Sequence, residues 1–344
     1  MRLSDAARAV LDGAVEAGAV PGLVGAAVDP DGRFDTHAAG VTREGGAPVR
    51  PSTRFDLASL TKVVATLPCL LRLVSDGALA LDERLAERFA NAGWFQTPSL
   101  ADTKVEALLT HTAGLPAWQP LFARVGDRRT ALAAVLQAPL SSVGRVRYSD
   151  LGFMLLGALV ERVSGRRLDD AARALVYAPL RLDGLRFGPL ADDVAASEVC
   201  GWRGRLLAGE VHDENAVVWD GIAGHAGLFG DAAALAGYAA AWLRADPVLA
   251  SPELLRRAVT PSARGEDGSV RGFGWLLPSA GVFAGDTARG FGHTGFTGTS
   301  LWIDPEAGVA SLLLTNRVHP HRAARDGIQG LRRRFHAAVH GGTR

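Results

Sequence analysis

The chain has 344 residues, enough to bury a large core, and its 48% hydrophobic and 21% charged residues are those of a globular protein in water. A formal net charge of +1 without any basic stripe argues against nucleic acid or an anionic membrane as a partner. No run approaches the roughly 20 apolar residues of a membrane span. Two cysteines, Cys69 and Cys200, make no disulfide framework, and Cys69, in the apolar stretch from Leu67 to Leu73, reads as a buried thiol.

In chain order, residues 1–20 carry Asp5, Asp12 and Glu16 and lack a basic segment followed by a clean apolar one. No secretory signal is expected, and the predicted location is cytoplasmic. Asp5 to Glu16 reads as an amphipathic helix. Strands follow at Gly22–Val28 and Phe34–Val41, parted by the turn Asp29-Pro30-Asp31-Gly32. The apolar run Leu60–Val74 predicts a helix that stops near Gly77. Further helices are expected at Val105–Leu109, Arg129–Leu136, Asp150–Val163 and Leu168–Val176, then a loop-rich region from about Gly184 to Gly230 and a helix over Ala232–Leu243.

The last third turns strand-like at Gly272–Leu277, Gly298–Ile303 and Val309–Thr315, with a turn at residues 304–308, and a helix over Ala323–Val339 ends the pattern. Strands at both ends with helices between suggest one sheet built from both termini and a helical region inserted into it, an α+β layout. The division is 1–57 with 225–344 for the sheet, and 58–224 for the mainly helical part.

The chain has 37 Lys plus Arg, yet lysine occurs only at Lys62 and Lys104. Where arginine serves almost everywhere, a retained lysine marks a task for an amine that can give up its proton. Lys62 lies in Ser59-Leu60-Thr61-Lys62. A helix starting at Ser59 puts the amine one turn away on the same face, and free N–H groups at the helix start favour an oxyanion. An N-cap serine before a surface lysine would give the same four residues.

Tyr148-Ser149-Asp150 precedes a helix, and a phenol beside an ammonium can act as general base. Read alone, the tripeptide is an N-cap after a core aromatic. Gly292-His293-Thr294-Gly295-Phe296 leads into a strand, whose edge can hold an acyl group and offer an N–H to an oxyanion. Gly290, Gly292 and Gly295 spell a dinucleotide fingerprint, but the continuation alternates like a strand where that fingerprint needs a helix. No G-x-S-x-G elbow is present.

Together these three elements resemble the serine beta-lactamase and penicillin-binding protein superfamily, nearest the branch of class C beta-lactamases, DD-peptidases and related esterases. Phe55-Asp56-Leu57-Ala58, Leu108 to Leu115, Gly224-His225-Ala226-Gly227-Leu228-Phe229, Trp302-Ile303-Asp304-Pro305 and Leu314-Thr315-Asn316-Arg317 extend the resemblance. It implies a beta-lactamase/transpeptidase-like fold, an antiparallel sheet flanked by N- and C-terminal helices. It also implies an acylated Ser59, Lys62 and Tyr148 sharing the acid and base roles, an oxyanion hole from the N–H groups of Ser59 and Phe296, and a substrate strand at Thr294 and Gly295.

Two departures bear on substrate. Asp150 stands where members acting on amides usually have Asn; a carboxylate only accepts, so Asp150 is expected to pair with Lys62. His293 stands where beta-lactamases mostly carry Lys, and a neutral imidazole anchors a carboxylate weakly. Both favour a carboxylesterase acting on small esters without cofactor or metal. Its rivals are a D-amino-acid peptidase or amidase, a beta-lactamase, and a sensor of the same fold that turns nothing over. His212 to Asn215 reads as either a pocket border or a solvated turn, metal ligation by His212, Asp213 and His225 is not expected, and His319 and His321 read as surface loop residues.

Overall fold

A computed structural model describes residues 1–89, 98–279, 282–285, 289–322 and 327–341. In chain order the main elements are α1 (Asp5–Glu16), β1 (Gly22–Val28), β2 (Phe34–Gly40), β3 (Phe55–Asp56), α2 (a π-helical stretch Lys62–Thr66 continuing as the α-helix Leu67–Ser75), α3 (Val105–Leu109), α4 (Arg128–Leu136), α5 (Asp150–Ser164), β4 (Arg186–Phe187), β5 (Leu228–Gly230), α6 (Ala232–Leu243), β6 (Ala263–Arg264), β7 (Val270–Arg271), β8 (Leu276–Leu277), β9 (Phe291–Thr294), β10 (Ser300–Asp304), β11 (Val309–Thr315) and α7 (Ile328–His340).

Both ends of the chain meet in one antiparallel eight-stranded sheet, ordered β2-β1-β11-β10-β9-β8-β7-β6. Leu23 faces Thr315 and Val28 faces Ala310, so the first long strand lies directly on the last. Every residue of β1 is buried, without polar alternation. The reason is cover on both faces. Leu23 and Ala27 pack with Leu11, Leu313 and Phe335 beneath the two terminal helices, while Val24, Ala26 and Val28 join the large core shared with α6. Each such fully buried Leu or Phe contributes about 1.5–3 kcal/mol relative to exposure. Gly25 lets the helices come close, since a Cβ there would lie 2.5 Å from Leu11 Cδ1 and 2.9 Å from Phe335 Cε2. The α+β fold is thus the one expected.

Several elements depart from expectation. Residues 272–277 are not one strand, because Gly274 at φ +71° breaks the run between β7 and β8. The strand expected from Gly298 begins at Ser300, and Gly298 itself sits at φ +105°. The helix expected from Leu168 carries a π turn at Arg173–Tyr177. The region 184–230 is loop-rich as expected, and its loops are tied by β4, β5, a hairpin of Val199–Cys200 with Arg205–Leu206, and a short helix at Glu214–Val217. His319 is buried rather than exposed, its Nε2 accepting the Glu44 N–H at 3.0 Å. The start expected for the last helix, residues 323–326, lies outside the described residues. Both cysteines are free and buried, and no described helix is long and apolar enough to cross a membrane.

Candidate active site

Ser59 follows a strained turn. Ala58 has φ +46°, a value that favours glycine, and the Asp56 carboxylate holds it there by accepting the Ala58 N–H at 2.8 Å. The other Asp56 oxygen takes the His212 N–H at 2.7 Å, and burial pushes this carboxyl up from its ordinary value. The chain then turns into α2, whose Lys62 N–H donates to the Ser59 carbonyl at 3.1 Å. Helical winding therefore begins at Leu60 and widens to a π turn at Lys62, rather than running as a plain α-helix from Ser59. The side chains still meet: Lys62 Nζ donates to Ser59 Oγ at 2.9 Å.

Lys62 is fully buried, between the rings of Tyr148 and Phe153 at 4.8 and 5.9 Å from Nζ. Its ammonium also donates to Asp150 Oδ1 at 2.7 Å, the pairing expected of that residue. Burial alone would lower the amine's pKa, but the Asp150 carboxylate and the Tyr148 phenol outweigh it and leave the value above 10.5. At neutral pH Lys62 is an ammonium.

Helix α5 supplies the facing wall. Ser149 is its N-cap, accepting the Gly152 N–H, and Asp150 is its first residue. The helix sits close because Gly157 meets Gly224 backbone to backbone, 2.8 Å from a would-be Cβ to Gly224 Cα. That contact also brings the His225 carbonyl to 3.5 Å from Lys62 Nζ. The Tyr148 ring is braced by His111 at 4.7 Å and His293 at 5.9 Å between centroids. Among the described residues no hydrogen bond joins Tyr148 to Ser59.

On the third side, β9 ends at Thr294 and the loop Gly295–Thr299 is tied to the turn before Ser59. Thr297 and Thr299 hydroxyls donate to the carbonyls of Asp56 and Leu57, at 2.7 and 3.1 Å. From α7, the buried Arg332 donates to the carbonyls of Gly295 and Thr299 at 2.7 and 2.9 Å. The Phe296 ring lies between His212, stacked at 5.6 Å, and the Arg317 guanidinium at 5.0 Å. This framing leaves the N–H groups of Ser59 and Phe296 without an acceptor among the described residues, as a vacant oxyanion hole requires.

Burial pushes the two histidines that flank Tyr148 toward the neutral form. Burial, with Lys62 and Arg271 nearby, holds His293 well below its usual value. Its Nδ1–H donates to the Thr294 carbonyl at 2.8 Å, and its Nε2 is buried without a partner. Burial, then Arg271 and Lys62, depress His111 likewise. Its Nδ1 accepts the Ser149 N–H at 3.1 Å, so the hydrogen is on Nε2.

The structure thus brings Ser59, Tyr148, His293, Thr294, Gly295 and Phe296 around one cleft of about 340 Å³, with Lys62 and Asp150 directly beneath Ser59. His212, Asp213 and Asn215 form neither a pocket border nor a solvated turn. His212 pairs with Glu198 at 2.5 Å and Asp213 with His225 at 3.0 Å, and Asn215 caps the loop at Gln119 and Phe122. Sequence reasoning missed Asp56, His111, Arg271 and Arg332. His111 lay in a quoted motif without a role, and the two arginines carried no signal among so many.

A Beta-lactamase family model matches residues 7–333, nearly the whole chain. The chain belongs to the Beta-lactamase family. An Escherichia coli (strain K12) relative named "Putative D-alanyl-D-alanine carboxypeptidase" is 32% identical over 311 residues, covering 78% of this chain and 70% of that protein. A class C beta-lactamase from Rhodobacter sphaeroides superposes with a TM-score of 0.77 at 18% identity, over 98% of this chain and 99% of the other. EstCE1, described as a hydrolase with promiscuous acyltransferase activity, gives 0.76 at 24% identity over 98% of each chain. At those identities the two structures speak for the fold. The Beta-lactamase family chain is accordingly a serine hydrolase of the beta-lactamase and penicillin-binding kind.

Proposed function

We propose that this family member hydrolyses small carboxylic esters through an acyl-enzyme on Ser59. The observation that carries the reading is the placement of Lys62 Nζ, 2.9 Å from Ser59 Oγ and 2.7 Å from Asp150 Oδ1. An ammonium held by a carboxylate orients the hydroxyl and stays charged, which leaves the Ser59 proton for Tyr148. Catalytic hydrogen bonds of this kind tighten once substrate is bound. Tyr148, as general base, takes the proton while Oγ forms a bond to the ester carbonyl carbon. The negative charge on the carbonyl oxygen enters the hole between the Ser59 and Phe296 N–H groups. As the intermediate collapses, the alcohol leaves with the proton from Tyr148. Water, deprotonated by the same residue, then attacks the acyl carbon and releases the acid, and the proton returns to Ser59.

Asp150 supports ester over amide, because its carboxylate is engaged with Lys62 and has no N–H to offer a substrate carbonyl. Ser59→Ala should abolish turnover of a short-chain p-nitrophenyl ester, by about 10⁴-fold or more, with the melting temperature preserved. Undiminished turnover would end the assignment. A second reading, a peptidase or amidase on D-amino-acid peptides, draws support from the name of the Escherichia coli relative. Rates on an ester, a D-Ala-D-Ala peptide and a chromogenic cephalosporin separate these activities. A cytoplasmic location belongs to the same proposal and is checked by cell fractionation.

A further inference from the structure

All three tyrosines of the chain meet the first turns of α2. The ring of Tyr148 lies over Lys62 Nζ, and the other two reach the backbone just beyond it. Tyr238, on α6, donates its hydroxyl to the Val63 carbonyl. Tyr177, at the end of its own π turn, donates to the Val64 carbonyl at 3.2 Å. All four residues are buried, so neither carbonyl reaches solvent. Burial raises both phenols above the ordinary 10, which keeps them protonated as donors.

The need for these donors comes from Pro68. In an α-helix the Val64 carbonyl takes the N–H four residues on, but that residue is the proline, which has none and whose ring presses on the same carbonyl. The chain widens into the π turn Lys62–Thr66 instead, and the Leu67 N–H goes to the Lys62 carbonyl. Val63 thereby loses Leu67, and the next N–H in line is again the one Pro68 lacks. Buried carbonyls without a donor are costly, and the two phenols stand in for the missing N–H. Pro68 alone also permits a kink or a fresh helix start. The two donors, with the packing of the turn against α5, select the π turn.

The turn decides where Lys62 points. The helix beyond it is fixed in the core by Leu67, Leu70, Leu71 and Leu73. An α-helix advances about 100° per residue, so one extra residue in the turn rotates the Ser59–Lys62 end by about that angle relative to the fixed end. Relaxed to an α-helix, the same chain would turn the amine away from the Ser59 hydroxyl and the Asp150 carboxylate, which it now meets together at 2.9 and 2.7 Å. We propose that Tyr177 and Tyr238 are positioning residues for the reaction: by holding the π turn, their hydroxyls aim the Lys62 ammonium at Ser59. This rests on the acyl-enzyme reading above and adds the groups that set its lysine.

The test measures kcat and KM on p-nitrophenyl acetate in Tyr238→Phe and Tyr177→Phe, each of which removes one hydroxyl and keeps the ring. In both, kcat should fall about ten- to a hundredfold, the cost of a misaimed catalytic group, with KM little changed. Lysine scarcity supplies a second readout. With only Lys62 and Lys104 in the chain, protein isotope-labelled at lysine Cε gives two NMR resonances, assigned by Lys104→Arg. The Lys62 resonance should move in both variants and that of Lys104 should not. A merely structural role would lower the melting temperature but leave the kcat of the folded protein unchanged, which would overturn the proposal. A lower kcat with an unmoved Lys62 resonance would overturn it too. Should Tyr238→Phe fail to fold, Tyr177→Phe carries both readings. Should wild type leave the ester intact, the ester reading fails, and the rate of Ser59 labelling by a fluorophosphonate replaces kcat. Wild type inert to that reagent as well would overturn both.

Discussion

Lys62 and Asp150 define the chemistry at the residue scale, since one buried ion pair fixes both the charge beneath Ser59 and the hydrogen-bonding character of the wall beside it. The folded-state pKa of Lys62 lies above its ordinary 10.5. The pair therefore contributes stability below that pH and loses it as pH rises through the folded value. Asp150→Asn removes the carboxylate, lets burial lower the amine, and gives the wall an N–H donor. The ratio of amide to ester hydrolysis should rise, roughly tenfold for one gained hydrogen bond, measured with matched anilide and phenyl ester substrates. The alkaline limit of the Asp150→Asn pH-rate profile should also move to lower pH. The pairing was legible in the sequence because lysine is so scarce here and Asp150 sits at a helix start. Arg271 was not legible: its burial comes from β7, α5 and the cleft meeting in space, and no spacing records that.

At the scale of elements, the loop after β9 holds the proposed oxyanion donors in place. Gly295 is required there, since a Cβ would collide with the Thr299 hydroxyl and lie 2.5 Å from the Leu57 carbonyl oxygen. Gly295→Ala should push the Phe296 N–H away from the nucleophile and lower kcat on a p-nitrophenyl ester about 100-fold or more, with KM changed much less. An unaffected kcat would contradict the role given to this loop. The helix α1 was readable from its apolar spacing, and β1 and β11 as short apolar runs bounded by turn residues. Residues 272–277 were misread as one strand because alternation says nothing of a glycine at φ +71°. The π turn at Lys62 was equally hidden, since it answers to packing against α5.

For the whole molecule, we propose that the sheet part, 1–57 with 225–344, and the helical part, 58–224, unfold together. Their joint is buried: Asp56 accepts the His212 N–H, the Thr61 hydroxyl accepts the Leu228 N–H, and the Tyr238 hydroxyl donates to the Val63 carbonyl. Glu198 belongs to the same region. Burial would raise its carboxyl, but His212 and Arg322 hold it down at about 2 against an ordinary 4.5. A depressed carboxyl contributes stability above about pH 4.5 and loses it as pH falls toward 2. Glu198→Gln should destabilise the protein by about 2 kcal/mol at pH 7, and the gap from wild type should close below pH 4.5, followed by urea unfolding. The overall layout was legible because strands cluster at both ends of the chain. The network at Glu198 was not, because it joins residues more than 100 positions apart.

The most direct test of the central claim is rapid-quench mass spectrometry of the protein turning over p-nitrophenyl acetate. The account predicts an acetyl group on the tryptic peptide containing Ser59, absent when Ser59 is alanine. Steady turnover with that peptide unmodified, or acetylation that persists in Ser59→Ala, would contradict it.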